Sequence, residues 1–167
     1  MRALDAILNY VDGFHAAKSV SQTIMPFATE AAWSTGKWDQ LERTLALPSG
    51  HLAGTSLEFN IGVGRALLAL RHKNSDAFKQ IVGDLRGAVA MSLTPTATAS
   101  LYAAHEHIVK LHTLYELEAI SGLSSFTPCD REDILLNLDR RLDILGAYIS
   151  DKQYLLGVRR AAMQLSR

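Results

Sequence analysis

Few groups in the sequence could do chemistry, and most sit in one stretch: His105-Glu106-His107, with His112 and Glu116 downstream. Imidazole and carboxylate are ordinary zinc ligands, and the metallopeptidase helix needs histidines at i and i+4 with a glutamate between them. Position 109 is Val109, so that pattern fails. His105, His112 and Glu116 fall along one helical stripe at spacings of seven and four residues. Seven residues span about 10 Å of helix, too far for two ligands of one ion without outside help. A packed or half-exposed histidine is the plainer reading, and no metal is assigned.

The remaining motifs fare no better. Gly62-Val63-Gly64 supplies two glycines of a dinucleotide loop, but position 67 is Leu67 and the pattern requires a preceding strand. Close helix packing at small residues is the simpler account. Cys129 follows Pro128, with no neighbour that would activate a thiol. Arg140-Arg141 and Arg159-Arg160 could bind phosphate, but on helices such residues more often face solvent or pair with carboxylates such as Asp139, Asp143 or Asp151. No catalytic, cofactor-binding or metal-binding residue is assigned, and no cofactor is expected.

The elements that would position these groups are helices. Leu4, Ile7, Leu8 and Val11 follow the i, i+3, i+4, i+7 rule for one apolar face. A second helix is expected from a cap at Ser21 to about Ser34, with a late start or kink at Pro26, and a third from about Lys37 to Leu45. The fourth spans Ser56 to about Arg71. The fifth, capped by Asn74 or Ser75, turns Phe78, Ile81, Val82, Leu85 and Val89 inward. A long sixth covers about Thr98 to Ile120, and Ser121 to Cys129 reads as a loop. Asp130 is expected to cap a seventh, and an eighth begins near Asp151. No alternating strand pattern interrupts them. The expected fold is all-α: about eight helices in antiparallel pairs, stacked as a tetratricopeptide-like α-solenoid.

Composition fits one segment over 1–167. With 167 residues, 48% hydrophobic and 20% charged, the chain is on the apolar side for an isolated soluble domain. Its 17 basic and 17 acidic residues balance, giving no general grip on nucleic acid. The single cysteine excludes an intramolecular disulfide. No uncharged run approaches the ~18 apolar residues of a membrane span, and Asp5 interrupts the apolar start, which lacks a signal-peptide core. A soluble, intracellular protein with no membrane partner is expected.

Both tryptophans lie in Ala31-Ala32-Trp33-Ser34-Thr35-Gly36-Lys37-Trp38-Asp39. In helix-pair repeats an aromatic sits late in the first helix, and a turn leads into the second. Trp33 is read as the core aromatic, Gly36 as the left-handed residue ending the helix, and Trp38 as packing where the next begins. A binding platform is the alternative, and a structural corner is preferred.

Three segments in order, EAAWSTGKWDQLE (Glu30 to Glu42), HEHIVKLHTLYELE (from His105) and LLGVRRAAMQLS (Leu155 to Ser166), resemble the FAT domain of the ATR-type checkpoint kinases, within the phosphatidylinositol 3-kinase-related kinase family. Arg159-Arg160-Ala161 followed by Leu165 is the more distinctive part. The resemblance implies a solenoid stretch wrapping the kinase domain of a very large nuclear protein. Such kinases answer DNA damage and stalled replication, phosphorylate Ser/Thr-Gln sites and work with an ATRIP-type partner. The family's catalytic and activation-loop motifs find no match, since Asp139-Arg140-Arg141 lacks the histidine. The chain is therefore expected to be a non-catalytic scaffold fragment whose partners are the remaining FAT and kinase regions. A stand-alone tetratricopeptide-like adaptor is the alternative. Because Leu155, Val158, Ala162 and Leu165 belong to a helix apolar on more than one side, they are candidate interface residues for a following helix, and self-association of the isolated chain is expected.

Overall fold

The computed structural model describes residues 18–46, 56–93 and 101–166. Among these are seven α-helices and no strand. They are α1 (Lys18–Ser34), α2 (Trp38–Ala46), α3 (Ser56–Arg71), α4 (Ser75–Ser92), α5 (Leu101–Ser121), α6 (Pro128–Ile144) and α7 (Ile149–Leu165), with a 3-10 turn at Leu123–Ser125 before α6. Neighbours in sequence pair in space along α1–α2–α3–α4–α5, and α6 packs on α5. The last helix, α7, lies against α5, α3 and α1. These packed pairs are the helical units of an α-solenoid, and the seven described helices answer to seven of the about eight expected. The face Leu4, Ile7, Leu8 and Val11 lies outside the described residues.

Apolar spacing decides which sides face inward. From α3, Phe59, Val63, Ala66 and Leu67 are buried together with Phe78, Val82 and Val89 of α4 and Leu114, Leu117 and Ile120 of α5. The glycines of α3 permit the close approach. A Cβ on Gly62 would stand 2.4 Å from Leu85, and one on Gly64 would stand 2.5 Å from Thr29. Helix–helix contact accounts for both.

Three boundaries differ from the sequence expectation. Helix α1 is already formed at Lys18 and runs through Pro26, because buried Met25 and Ala28 on either side outweigh the one backbone hydrogen bond that proline removes. Helix α6 starts at Pro128, capped by Thr127 rather than Asp130. The Thr127 hydroxyl accepts the Asp130 amide at 3.3 Å and donates to the Asp130 carboxylate at 2.6 Å. Proline suits the first helical position, where its missing N–H goes unneeded. Helix α7 begins at Ile149, leaving Asp151 in its first turn, where a carboxylate favours the helix dipole.

Candidate functional site

Two polar clusters are built along α7. Toward its C-terminal half, Arg159 reaches between α5 and α6. Its Nε and Nη2 donate to the two carboxylate oxygens of Glu116 at 2.9 and 2.7 Å. Nη1 donates to Asp139 at 2.5 Å, and Nη2 also donates to the main-chain oxygen of Leu138 at 2.9 Å. Glu116 is wholly buried. The hydrogen bonds to Glu116, helped by its charge and then by Asp139, raise the Arg159 guanidinium above its ordinary pKa despite the desolvation that opposes its charge. A bidentate fork of this kind fixes both position and orientation. It ties α5, α6 and α7 together.

The second cluster opens to the surface. A cleft of about 520 Å³ lies among α1, α3, α5 and α7. The Tyr154 hydroxyl of α7 donates to Asn60 Oδ1 at 3.0 Å, and Asn60 Nδ2 donates to Glu30 Oε2 at 3.2 Å. Burial pushes the Glu30 carboxyl above the usual carboxylate range. Burial, and then the Glu30 charge, push the Tyr154 phenol far above its ordinary value, so it stays a neutral donor. One turn earlier in α7, Asp151 Oδ2 lies 2.8 Å from His105 Nε2 of α5. The His105 ring stacks at 4.1 Å on Tyr148. Lys110 pairs with Glu106 at 2.8 Å and stands over the Phe59 ring.

The tryptophan corner is a helix end joined to α7. Gly36 takes φ +71; its N–H donates to the Trp33 carbonyl at 3.2 Å, and Lys37 N–H donates to the Ala32 carbonyl at 2.9 Å. This is the Schellman pattern. The Trp33 ring is buried, meets Tyr154 edge-on at 5.7 Å and rests against Gly157. Trp38 is half-buried against the same core. Arg160 donates to the Ser34 carbonyl at 2.5 Å, closing the end of α1. Of the candidate interface residues, Leu155, Val158 and Ala162 are fully buried within this chain and Leu165 is half-buried against its core. They face α7's own neighbours, and the side of α7 left exposed carries Leu156 instead.

The histidine stripe is dispersed. His105 turns to Asp151, and Glu116 to Arg159. His112 is buried, and desolvation, then the nearby Arg141, lowers its pKa. Among the described residues, no three or more histidine, cysteine, aspartate or glutamate side chains are grouped to hold a metal. Cys129 is exposed. Arg141 lies 3.8 Å above the Tyr115 ring, apart from the Arg159 cluster. Sequence reasoning missed Glu30, Asn60 and Tyr154. Their partners are up to 94 residues apart, and no local spacing records such a meeting. No described helix is long and apolar enough to cross a membrane.

Relatives of the chain are very large proteins. Serine/threonine-protein kinase ATR of Oryza sativa subsp. indica is 28% identical over 125 residues, covering 72% of this chain and 5% of that protein; the subsp. japonica protein of the same name matches equally. Serine/threonine-protein kinase TOR of Arabidopsis thaliana is 29% identical over 116 residues, covering 63% of this chain and 5% of its own length. The chain thus spans about one twentieth of these relatives. No solved structure matches. The family model of the FAT domain matches residues 25–167, which take in the tryptophan corner, the Arg159 clamp and the cleft, and the chain belongs to the FAT domain family.

Proposed function

We propose that this chain is a non-catalytic α-solenoid scaffold segment of an ATR-like serine/threonine protein kinase in DNA-damage and replication-stress signalling. The observation that carries the reading is the Arg159 clamp. A buried carboxylate and a guanidinium are committed to holding three helices in one arrangement, which suits a part whose work is mechanical. The ATR assignment is favoured over TOR because the alignment to the ATR relatives is longer, 125 against 116 residues. On this reading the neighbours of the segment are the remaining FAT and kinase regions of the same polypeptide, an ATRIP-type protein is a further partner, and the setting is the nucleus.

The test is to tag the gene product in its native cells and recover it before and after replication arrest. The expected result is a nuclear polypeptide far longer than 167 residues that phosphorylates Ser/Thr-Gln peptides more strongly after arrest. A product of only 167 residues that recovers no kinase activity overturns the proposal. The 167-residue chain by itself should show no saturable ATP binding by calorimetry.

A further inference from the structure

Among the described residues, the cleft between α1, α3, α5 and α7 holds one carboxylate that no cationic side chain pairs with. Five side chains that can carry charge face it: Glu30 from α1, His105, Glu106 and Lys110 from α5, and Asp151 from α7. Lys110 pairs with Glu106, and His105 contacts Asp151. Glu30 receives only the neutral amide of Asn60. A half-buried carboxylate in that position is poorly solvated, and a cation brought to it would restore what burial removed. One wall suits a flat cation: Tyr148 lines the same cleft and is 52% exposed although His105 lies against one side of its ring, and aromatic faces attract guanidinium groups.

We propose that this cleft is a docking site for an arginine side chain carried on a peptide segment of a partner, with Glu30 as its carboxylate and Tyr148 as its stacking face. Arginine fits better than lysine because its charge survives desolvation and its planar fork can meet a carboxylate and a ring together. A peptide fits better than a free amino acid for two reasons. Tyr148 is 52% exposed at the cleft, and its open surface would be covered by residues flanking the arginine. Free arginine would also bring its own α-carboxylate into a cleft lined by three carboxylates, Glu30, Glu106 and Asp151. The inference stands on the cleft alone and does not depend on which kinase contains it.

The test is a titration of the full 167-residue chain, followed through the backbone amide resonances of Glu30, Asn60 and Tyr154. The probe is the capped pentapeptide acetyl-Ala-Ala-Arg-Ala-Ala-amide. Saturable shifts at these residues are expected, with at least tenfold weaker binding for the peptide carrying citrulline, the neutral isostere. Free arginine and the lysine peptide should also bind several-fold more weakly. Glu30→Gln, checked by circular dichroism to keep its helices, should lose tenfold or more, and Asp151→Asn a few-fold. Wild-type affinity should rise with pH as Glu30 ionises and then level off. Equal binding of the arginine and citrulline peptides overturns the proposal, as does an unaffected Glu30→Gln variant or no saturable shift up to about 10 mM probe, the weak end of specific recognition. Lysine binding as tightly as arginine overturns the guanidinium assignment, and free arginine binding as tightly as the peptide overturns the peptide.

Discussion

The clamp and the cleft share a helix and a plan, and differ in whether the plan is finished. Asp151, Tyr154 and Arg159 follow one another along α7, and each cluster takes a carboxylate from a neighbouring helix. Glu116 is fully buried yet meets a guanidinium at both oxygens. Glu30 is only half-buried and meets one amide. The deeper charge is satisfied and the shallower one is not. Burial alone therefore does not separate a structural ion pair from a candidate site; the accounting of partners does.

The largest expected effect tests the satisfied side. Arg159→Met leaves the Glu116 carboxylate buried with no counterion, which is expected to cost about 3–5 kcal/mol and to lower the urea midpoint accordingly. The double variant Arg159→Met/Glu116→Leu should recover most of the loss, because replacing both members of a buried pair by apolar groups is close to neutral. A single-variant loss within about 0.5 kcal/mol, typical of a surface change, would mean that the clamp holds nothing, and the contrast with the cleft would disappear.

Legibility followed the same division. Periodicity placed the inward face of α4 because it reports which residues share a side, and Phe78, Val82 and Val89 are accordingly buried. Cap chemistry is nearly as local, yet the sequence reading sets the cap at Asp130, because the Thr-Pro pair reads as loop until the proline is placed at the first helical position. Polar partnerships are different. Glu116 and Arg159 are 43 residues apart and Glu30 and Asn60 are 30, so each meeting is made by the docking of whole helices. The sequence therefore offered Glu116 as one member of a histidine stripe, when its partner lies on another helix. It also offered Leu155, Val158, Ala162 and Leu165 as candidate interface residues for a following helix, and within this chain α7 has three neighbours that cover that side.

A smaller effect probes the link between cleft and core. Tyr154→Phe keeps a ring against Trp33 and removes the hydroxyl that donates to Asn60 Oδ1. The expected loss is about 0.5–1.5 kcal/mol, one ordinary hydrogen bond, read as a shift in urea midpoint without change in slope. A loss as large as that of Arg159→Met would show the cleft to be a second clamp.

The smallest effect is the most discriminating, because its sign is opposite on the two sides of the comparison. Burial raises the folded pKa of Glu30 above its ordinary 4.5, so the folded chain keeps this proton at pH values where the unfolded chain has released it. The stabilising contribution is fully present below the unfolded pKa and is lost as pH rises through the folded one. At neutral pH the ionised carboxylate has lost part of its hydration and gained no cation. Glu30→Gln removes that charge while leaving an amide oxygen able to accept from Asn60. The variant should match wild type at pH 4 and exceed it by about 0.5 kcal/mol at pH 7.5, a figure kept small because the group is half-exposed and partly screened. Urea midpoints at the two pH values measure the difference. A constant difference would mean that Glu30 is well solvated. A variant less stable than wild type at pH 7.5 would mean that Glu30, like Glu116, already has its cation, and that the cleft has no vacancy for arginine.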